Sequence, residues 1–501
     1  MDNKLIRDKY IIIGLGATGV SVAKFLLKNN KQVILIDSNA KPGNLQDILK
    51  LDLKANDDLF LGLNKFELLD KVKDINPDEI VLSPGCVGYL LEDLALLNIP
   101  ITSDIQLFID YVTSNYNSKV IGITGTNGKS TVTALVYHLL KKSNHKVKLG
   151  GNYGIPVLDL LQEDNHKIDS DNIYVLELSS FQLEISNNLN LKSAVILNLA
   201  PDHLDRYNNL EDYYYAKYKI YSNAENIIIN KDNKNLVNLS NQIIKNRLEF
   251  SYFDNNDDTG FYVKNDFIYY KDYQILDINK LSLFGIHNIY NALACIALVF
   301  SILDIKALDV KIKALQQIAL NAYSFKGLEH RSEIFLDKND ITWINDSKGT
   351  NLDATSAALN SLVNLKYNKL WLILGGVLKE KDFVEFNKIL KNIVDKNNLG
   401  GIVIFGKSKD EIYNNILSKD TKDFLIIENS KEVSNDKILG KIVSLVLDKH
   451  NKAVNENNLA VNLKDIVLFS PACASFDMFK NYMQRGSIFK EIVKENYNGT
   501  K

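Results

Sequence analysis

Residues 120–131 read V-I-G-I-T-G-T-N-G-K-S-T, and the features around them follow from this stretch. The apolar residues at its start predict a short buried strand, and the periodic apolar residues after Ser130 predict a helix. Between them, Gly125 and Gly128 let the backbone turn tightly with its N–H groups directed inward. Lys129 can then reach β- and γ-phosphates, and the Ser130 hydroxyl can bind Mg²⁺. The stretch therefore predicts a cradle for nucleotide phosphates.

The spelling departs from the general phosphate-loop pattern at one place. That pattern has a glycine five residues before Gly128, where this chain has Ile123, and Gly122 stands one place early. The alternative interpretation is an ordinary Gly-rich turn from a strand to a helix. Gly-Lys-Ser directly at the start of a helix favours phosphate binding over that alternative.

Length and composition limit the classes of protein that the chain can represent. Its 501 residues indicate about three domains, at roughly 100 to 200 residues each. The net charge, 59 − 61 = −2, provides no overall field for nucleic acid or an anionic membrane. Three cysteines without paired spacing predict neither zinc nor disulfides. No signal-peptide core is visible, and the longest apolar run, residues 292–303, is shorter than the ~20 residues of a membrane span. We expect a cytoplasmic protein without nucleic-acid or membrane partners.

A second glycine-rich turn lies near the N-terminus. Residues 10–13 predict a strand, G-L-G-A-T-G follows at 14–19, and a helical pattern leads to a second strand, 33–36, that ends in Asp37. This is the dinucleotide-binding fingerprint in its proper setting. Alone it fits an NAD-dependent dehydrogenase, but the same helix N-terminus can hold any nucleotide that carries a diphosphate. Farther along, residues 80–85 predict a strand and turn, and 100–104 a connection.

Two candidate site residues follow strands of the sheet that carries the phosphate cradle. Glu177 lies near the end of an apolar strand, where an unpaired buried charge is costly, so we expect a cation beside it. Mg²⁺ is the favoured cation at this position, and a salt bridge is the alternative. His203 follows the next strand, at the edge where α/β folds bind ligands, although a lone histidine is more often structural.

The roles of several lysines and asparagines farther along the chain cannot be decided from the residue pattern alone. Lys217 and Lys219 lie on a predicted helix, and the pattern alone predicts that both are solvated. Asn288 and Asn291 lie on one face of an apolar helix, since residues three apart are neighbours. Capping of the helix by Asn288 and contact with a ligand fit this spacing equally well.

A new series of alternating strands and helices begins after Gly327. Four strands are predicted after this point, at residues 342–345, 370–374, 402–405 and 466–469, and helical stretches separate them. They predict a third, doubly wound domain with polar residues just past the carboxyl ends of its strands. Such ends are where α/β folds bind ligands. Residues 431–462 are longer and more polar than one crossover helix requires, and we interpret part of them as a surface insertion.

The motifs of the chain resemble, in their order and spacing, those of the ATP-dependent Mur ligases of peptidoglycan precursor synthesis. The resemblance covers nearly the whole chain, and its markers are G-L-G-A-T-G, L-S-P-G, T-G-T-N-G-K-S, G-G-N, E-L-S-S-F-Q-L-E, D-H-L-D-R-Y, H-N-I-Y-N-A, H-R, N-D-S-K-G-T-N, L-G-G and S-P-A-C-A-S-F-D-M-F. Any one of them is weak evidence, and their joint order is strong evidence. E-L-S-S-F-Q-L-E together with S-P-A-C-A-S favours the members that add D-glutamate.

The resemblance implies an α/β fold with three domains. They are a Rossmann-like domain for the UDP of the substrate (1–102), a central P-loop ATPase-type parallel sheet (103–325), and a doubly wound, Rossmann-like domain for the amino acid (326–501). The N-terminal fingerprint would then face UDP, which overturns the dehydrogenase interpretation. The implied reaction adds D-glutamate to UDP-N-acetylmuramoyl-L-alanine through an acyl phosphate, in cytoplasmic peptidoglycan synthesis that supports cell-wall biogenesis, cell shape and division. We expect a monomer.

The resemblance also implies roles for individual residues. Those implied for ATP are Gly125, Thr126, Asn127, Gly128, Lys129, Ser130, Thr131, Asn288, Asn291, Arg331 and Asp346. Those implied for the UDP substrate are Ala17, Thr18, Asp37, Ser38, Ser83, Gly85, Asn152, Ser179, Gln182 and His203. Those implied for D-glutamate are Thr350, Lys379, Ser475 and Tyr482. Two Mg²⁺ ions are implied, with Ser130, Glu177, His203 and Lys217 near them. Catalysis is assigned to Lys129, Glu177, His203, Lys217 and Lys348.

Lys217 matches a lysine that CO₂ converts to a carbamate in the family, so the resemblance replaces its solvated interpretation. Two positions depart from the pattern of the D-glutamate-adding members. Tyr482 stands where phenylalanine is common, and the loop before Lys379 is less polar than usual. Two alternatives remain: another Mur-type ligase with a different amino acid, and a P-loop ATPase that drives a partner interaction. The N-terminal domain argues against a ligase that acts on folate, which has no need of UDP binding.

Overall fold

The computed structural model contains three β-sheets flanked by helices. It describes residues 9–51, 53, 58–116, 118–161, 171–200, 206–207, 209–241, 247–252, 260–283, 285–363, 365–379, 382–396, 398–416, 424–426, 434–455 and 463–498. The chain divides into two compact units, Met1–Leu281 with Ile289–Phe325, and Ser282–Asn288 with Lys326–Lys501. The first unit holds two sheets and the second holds one. Among the described helices, none combines the length and the apolarity that crossing a bilayer requires.

The first sheet is parallel throughout. Its strands are β1 (Lys9–Ile13), β2 (Gln32–Asp37), β3 (Leu59–Leu61), β4 (Glu79–Leu82) and β5 (Ile101–Thr102), and its helices are α1 (Ala17–Lys28), α2 (Leu45–Ile48), α3 (Lys65–Ile75), α4 (Val87–Ala95) and α5 (Asp104–Tyr116). The strand order is β3-β2-β1-β4-β5, that of a doubly wound sheet whose order reverses between β1 and β4. The prediction of a connection at 100–104 is wrong, because Ile101 pairs with Ile80. Two residues of strand are too short to leave a pattern.

The second sheet carries the phosphate loop at the end of β6, the third strand from one edge of the sheet. Its strands are β6 (Lys119–Thr124), β7 (Val147–Gly151), β8 (Ile173–Glu177), β9 (Ser193–Ile196), β10 (Asn226–Asn230), β11 (Leu248–Ser251), β12 (Gly260–Lys264), β13 (Phe267–Tyr270) and β14 (Tyr273–Asp277). Their order is β14-β13-β12-β11-β10-β9-β6-β8-β7, parallel except for the antiparallel pairs β12–β13 and β13–β14. Parallel neighbours on both sides of β6 bring three strand ends to the same edge of the sheet as the loop.

Helices α6 (Lys129–Lys142), α7 (Ser180–Glu184), α8 (Leu210–Tyr218), α9 (Lys234–Asn241), α10 (Ile286–Ile302) and α11 (Leu308–Ala319) accompany the second sheet. The first and second sheets share one apolar core. Phe108 of α5 meets Tyr174 of β8 edge to face, with ring centroids 5.0 Å apart. Two hydrogen bonds also join these parts of the chain: Ser21 Oγ to Asp159 Oδ1 at 2.8 Å, and Ser103 Oγ to Ser186 Oγ at 2.9 Å.

The third sheet has six strands. They are β15 (Glu333–Lys338), β16 (Ile341–Asn345), β17 (Leu370–Gly375), β18 (Leu399–Phe405), β19 (Phe424–Ile426) and β20 (Asp465–Phe469), in the order β15-β16-β20-β17-β18-β19. All neighbours are parallel except β15 and β16. The helices are α12 (Leu352–Leu362), α13 (Val384–Asp395), α14 (Lys409–Asn415), α15 (Asn435–Asn455) and α16 (Tyr482–Asn498). The four predicted strands are present as β16, β17, β18 and β20, and β15 and β19 are additional.

Helix α15 corrects the predicted surface insertion. It is a crossover helix of 21 residues, and Leu439, Ile442 and Val443 on its apolar side are buried in the core that also contains Trp343. The prediction is therefore wrong for residues 435–455, where abundant Lys and Asn on the outer face hid a regular amphipathic pattern. Residues 431–433 and 456–462 lie outside the described residues.

Candidate active site

The phosphate loop connects β6 to α6 in the predicted manner. Gly125 and Gly128 have φ angles of +149° and +84°, which side chains with a Cβ rarely adopt. A Cβ on Gly128 would also lie 2.5 Å from Asn291 Oδ1, so α10 packs directly on the loop. Asn198, just past β9, accepts from Thr126 N at 3.0 Å with its backbone oxygen and from Asn127 N at 2.9 Å with its side-chain oxygen. The loop is thus fixed from neighbouring elements.

The lysine of the loop begins α6. Lys129 Nζ donates to the backbone oxygens of Gly125 and Thr126, both at 2.8 Å, so the ammonium lies over the loop. Ser130, in the first turn of the helix, is buried. The N-terminus of this 14-residue helix carries the positive end of its dipole. The arrangement suits an anionic phosphate chain.

Glu177 ends β8, beside the strand that leads to the phosphate loop. Its side chain is 2% exposed. Oε1 accepts a hydrogen bond of 2.6 Å from Asn152 Nδ2, whereas Oε2 is buried and accepts none from any described residue. A buried carboxylate oxygen without a donor is costly unless a cation satisfies it. The carboxylate therefore fits a hard divalent cation such as Mg²⁺, which prefers oxygen ligands.

Other metal ligands near Glu177 are few within the described part of the chain. No group of three or more His, Cys, Asp or Glu side chains converges there. His203, the second predicted ligand, lies outside the described residues. Ser130 lies just past β6, and Glu177 is the last residue of the neighbouring β8. Their shared assignment to metal binding stays a prediction.

Lys217 is buried against the phosphate loop. Its side chain is 2% exposed, Nζ donates to Gly125 O at 3.1 Å, and Nζ lies 4.6 Å from the centroid of the Tyr213 ring. The solvated interpretation from pattern alone is therefore wrong for this residue. Lys219 is half-buried and donates to the backbone oxygen of Glu184, and burial lowers its pKa.

Three of the residues assigned to the UDP substrate, Asn152, Ser179 and Gln182, lie close to Glu177 in the second sheet. Ser179 is the N-cap of α7, and Ser179 and Gln182 form a capping box: Gln182 N donates to Ser179 Oγ at 3.2 Å, and Ser179 N donates to Gln182 Oε1 at 3.0 Å. Asn152 donates to Glu177 through its backbone N–H as well, at 2.9 Å. The three side chains thus have structural partners that hold them at this edge of the sheet.

Residues assigned to UDP hold the glycine-rich loop of the N-terminal fingerprint in place through hydrogen bonds. The Asp37 carboxylate accepts from Leu15 N at 2.6 Å and from Asn39 N at 2.7 Å, and Ser83 Oγ donates to Gly14 O at 2.7 Å. Ala17 and Thr18 form the first turn of α1, Ser38 follows Asp37, and Gly85 lies in the turn after β4. The six assigned residues therefore surround the loop, and their contact with UDP stays a prediction.

Three loops meet at one edge of the third sheet. They follow β16, β17 and β20, which are neighbours in the sheet, and carry Lys348 and Thr350, Lys379, and Ser475 respectively. Val377 and Ala474 exchange two backbone hydrogen bonds of 2.8 and 2.9 Å, which join the loop of Lys379 to that of Ser475. Lys379 is exposed and Ser475 is buried.

Asp346 and Lys348 have defined partners in this region. Asp346 Oδ1 accepts from Ser332 N at 2.9 Å and Oδ2 accepts from Ser470 Oγ at 2.6 Å. Burial raises the pKa of Asp346 to about 6, although these donors and Arg331 oppose the shift. Lys348 Nζ lies 4.1 Å from the centroid of the Tyr482 ring, within range of a cation–π interaction.

Comparisons with known proteins match all three parts of the chain. The MurD-like N-terminal domain of Mur ligases matches residues 8–92, the Mur ligase middle domain matches 123–299, and the Mur ligase glutamate ligase domain matches 330–473. UDP-N-acetylmuramoylalanine–D-glutamate ligase of Coxiella burnetii (strain Dugway 5J108-111) is 33% identical, over 97% of this chain and 98% of its own length. The ligase of the same name from Buchnera aphidicola subsp. Baizongia pistaciae is 32% identical over 99% of both chains. The chain belongs to the Mur ligase family.

Solved structures agree with this fold. UDP-N-acetylmuramate-alanine ligase MurC from Thermotoga maritima has a TM-score of 0.54 at 19% identity, covering 98% of this chain and 100% of its own. MurF ligase from Thermotoga maritima in complex with ADP has a TM-score of 0.55 at 14% identity, covering 100% of this chain and 97% of its own. The predicted α/β architecture of three domains is confirmed. As a Mur ligase, the chain is an enzyme that forms an amide bond at the expense of ATP.

One residue of this Mur ligase was not predicted. Arg485 in α16 is fully buried, and its guanidinium donates to Ser347 O at 2.9 Å, Ser347 Oγ at 3.1 Å and Gly375 O at 3.3 Å. Burial lowers its pKa to about 10. It joins the loop that carries Lys348 to the end of β17. A lone arginine in a helical pattern gives no sequence signal, because the usual expectation is a solvated side chain.

The structure groups the predicted site residues within each unit. In the first unit it brings Lys129, Ser130, Lys217 and Asn291 to the phosphate loop, with Glu177 on the neighbouring strand. Asn288 is buried in the first turn of α10, and its amide lies 3.0 Å from His287 Nε2. The second unit holds Asn288 together with Lys348, Thr350, Lys379 and Ser475, and the last four lie on the loops that follow β16, β17 and β20.

Proposed function

We propose that this Mur ligase adds D-glutamate to UDP-N-acetylmuramoyl-L-alanine. The observation that carries the proposal is similarity over essentially the whole chain to ligases of that name, at 32–33% identity. The γ-phosphoryl group of ATP passes to the alanine carboxylate, which gives an acyl phosphate and ADP. The amine of D-glutamate then attacks the acyl carbon, and phosphate leaves as the amide forms and the amine loses a proton. The product belongs to peptidoglycan synthesis.

The phosphate loop positions the phosphoryl group in this reaction. Lys129 and the N–H groups at the start of α6 neutralise charge that spreads over the phosphate oxygens. Glu177 is the proposed anchor for Mg²⁺, because its buried Oε2 has no donor among the described residues. When bound, Mg²⁺ lowers the charge on the transferred group and holds it in line. The family resemblance implies a second Mg²⁺ and assigns His203 to it.

Lys217 is proposed to act as a carbamate. Its deprotonated amine takes up CO₂ with release of a proton, which converts a buried cation into an anion at the phosphate loop. Its burial beside Gly125 supports this role, because a bare ammonium next to the metal ions would repel them. We propose that the carbamate would instead supply an anion that helps to hold the second Mg²⁺.

The remaining assignments concern ligands and cellular context. We propose that the fingerprint of the first sheet binds UDP, and that Lys379, Ser475, Thr350 and Tyr482 bind the two carboxylates of D-glutamate. Lys348 would act at the reacting groups, with Arg331, Asp346, Asn288 and Asn291 on ATP. We propose a cytoplasmic monomer with domains at 1–102, 103–325 and 326–501.

Substrate dependence tests the proposed function. Phosphate release from ATP should require UDP-N-acetylmuramoyl-L-alanine and D-glutamate together. Replacement of D-glutamate by L-glutamate, L-lysine or meso-diaminopimelate should reduce release to the background rate. Preferred turnover with one of these would indicate a Mur ligase of different specificity, and full turnover without any amino acid would indicate an ATPase.

A further inference from the structure

A cluster around Arg206 connects the first sheet of this protein to the helix beside Glu177. The Arg206 guanidinium pairs with Glu184 Oε2 at 2.8 Å, and both side chains are 17% exposed. Its central carbon lies 3.7 Å from the centroid of the Phe181 ring, a close cation–π contact. Glu184 and Phe181 both belong to α7, the helix that begins at the Ser179 cap. The guanidinium is therefore fixed on α7 by a charge and by a ring.

The same guanidinium also contacts α4, a helix that packs with the first sheet. A Cβ on Gly88 would be 3.1 Å from Arg206 Nε, so the arginine lies directly against the first turn of α4. Helix α4 follows the turn that contains Gly85, one of the residues assigned to UDP. Arg206 thus contacts both the helix after the UDP loop and the helix that carries Ser179 and Gln182.

An aromatic chain continues from this cluster to the phosphate loop. Phe181 and Tyr207 are stacked with centroids 6.4 Å apart, and Tyr207 is 5.2 Å from Tyr213. The Tyr213 hydroxyl lies 3.3 Å from Thr126 Oγ1, and its ring lies beneath Lys217. Burial and the neighbouring Glu184 raise the pKa of Tyr207, which keeps its hydroxyl neutral. Contacts therefore run without a gap from α4 to the ATP side.

We propose that Arg206 is a positioning residue that sets the UDP-bearing half of the substrate in register with the phosphate loop. The uridine diphosphate and the reacting carboxylate are opposite ends of one substrate, so the distance between α4 and α7 decides whether the carboxylate reaches the γ-phosphate. The proposal rests on the proposed function for the identity of that substrate. A fixed planar guanidinium suits this role better than a flexible ammonium.

The central test compares Arg206→Lys with the matched control Arg247→Lys. Arg247 lies in the same unit and pairs with Glu249 at 2.6 Å, with 19% and 12% side-chain exposure, but it is outside the chain of contacts described above. For Arg206→Lys we expect kcat/KM for UDP-N-acetylmuramoyl-L-alanine to fall about 10- to 100-fold, with KM for ATP and for D-glutamate within twofold of wild type. Arg247→Lys should leave all of these within twofold.

A second variant disturbs the contact without removing a charge. Gly88→Ala places a methyl group 3.1 Å from Nε, and we expect it to raise KM for the UDP substrate at least threefold with little change in the thermal unfolding midpoint. In the double variant Arg206→Ala/Glu184→Ala, kcat/KM for the UDP substrate should fall no further than in the more impaired of the two single alanine variants, because the ion pair acts as one unit. A purely structural role would instead lower the unfolding midpoint and leave all KM values unchanged, and that result would overturn the proposal.

Failure of the proposed function would be recognised separately. If wild type turns over with another amino acid in place of D-glutamate, the specificity proposal fails, and the same variants are assayed with that amino acid. Equal behaviour of Arg206→Lys and Arg247→Lys in that assay would contradict the positioning role. A selective loss in Arg206→Lys would support it whatever the amino acid.

Discussion

At the scale of single residues, chemistry in this protein depends on side chains whose burial the sequence does not reveal. The phosphate-loop residues could be predicted, because Gly-Lys-Ser between a strand and a helix is a local pattern. Burial of Lys217 could be predicted only through the family resemblance, because the three-dimensional contact with Gly125 joins residues 92 positions apart. Arg485 was missed for the same reason, since its partners are backbone groups far away in the sequence.

Glu177→Gln tests the metal site. The amide keeps the shape of the side chain and a contact with Asn152, but it removes the charge at Oε2. Loss of one partner of a buried charge pair costs ~2 to 5 kcal/mol, so kcat should fall roughly 30-fold or more and the Mg²⁺ requirement should rise. Phosphate release measured over a range of Mg²⁺ concentrations provides the readout. Glu225→Gln, at the exposed ion pair with Lys192, is the matched control and should stay near wild type. An unchanged Mg²⁺ response in Glu177→Gln would exclude this residue as the anchor.

Lys217→Ala tests the carbamate. We expect the variant to lose most of its activity while it still binds ATP, because Lys129 and the loop N–H groups are unaltered. Acetate or another small carboxylate should restore part of the activity by supplying the missing anion. Lys142→Ala, in the last turn of α6, serves as a lysine control. The carbamate role would be abandoned if Lys217→Ala kept near-normal activity in buffer depleted of bicarbonate.

At the scale of elements, prediction succeeded where the pattern was long and failed where it was short or hidden. The strands next to the phosphate loop were found from apolar runs. The hairpin of β12 and β13 was not predicted, although Asn265 and Asp266, with φ of 46° and 64°, form the kind of two-residue turn that favours such a connection. The strand β12 shows no alternation of polar and apolar residues, because Phe261, Tyr262 and Val263 are all buried.

Asp104 gives a prediction for helix α5. It begins the helix, and burial raises its pKa to about 6 from 3.8, although backbone N–H groups oppose the shift. Its Oδ1 accepts no hydrogen bond from the described residues. The folded state therefore binds the proton more tightly than the unfolded state between pH 4 and 6, and stability falls as the pH rises through that window. Asp104→Asn should gain stability relative to wild type by up to about 3 kcal/mol on going from pH 4 to pH 7.

Urea unfolding of Asp104→Asn and wild type at pH 4 and pH 7 provides the measurement. The informative quantity is how the difference in unfolding free energy between the two proteins changes from pH 4 to pH 7. The amide also alters the helix N-terminus, but by an amount that does not depend on pH. Asp110→Asn, an exposed position in the same helix, provides a control that should show little pH dependence. A difference that stays constant with pH would mean that Asp104 titrates normally.

At the scale of the whole molecule, the order of three α/β sheets was predicted correctly. The two compact units were not, because the first two sheets share a core that no local pattern reports. The family resemblance assigns the D-glutamate residues to the third sheet alone, whereas the residues for ATP and for the UDP substrate are each spread over more than one sheet. Substitutions at the D-glutamate residues should therefore change the kinetics of that ligand only.

The third sheet provides the test of that separation. Lys379→Ala removes a full charge from the proposed D-glutamate site, worth ~2 to 5 kcal/mol if it pairs with a carboxylate, so KM for D-glutamate should rise roughly 30-fold or more. Ser475→Ala removes a hydroxyl worth ~0.5 to 1.5 kcal/mol, or up to ~3 with a charged acceptor, and should have a smaller effect. KM for ATP and for the UDP substrate should stay within twofold in both. Steady-state kinetics that show a raised KM for ATP alone would move these residues to the nucleotide site.

The contact between Gly128 and Asn291 constrains how the sequence can drift. Position 128 is closed to larger residues twice over, by its positive φ and by the amide 2.5 Å from where a Cβ would lie. A shorter residue at position 291 would remove the clash with the amide but not the strain of the positive φ. No substitution on α10 can therefore make a larger residue at position 128 acceptable by itself. Position 291 can shrink without a clash. In a saturation library selected for growth, we therefore expect no tolerated substitution at Gly128, even in combination with a smaller residue at position 291.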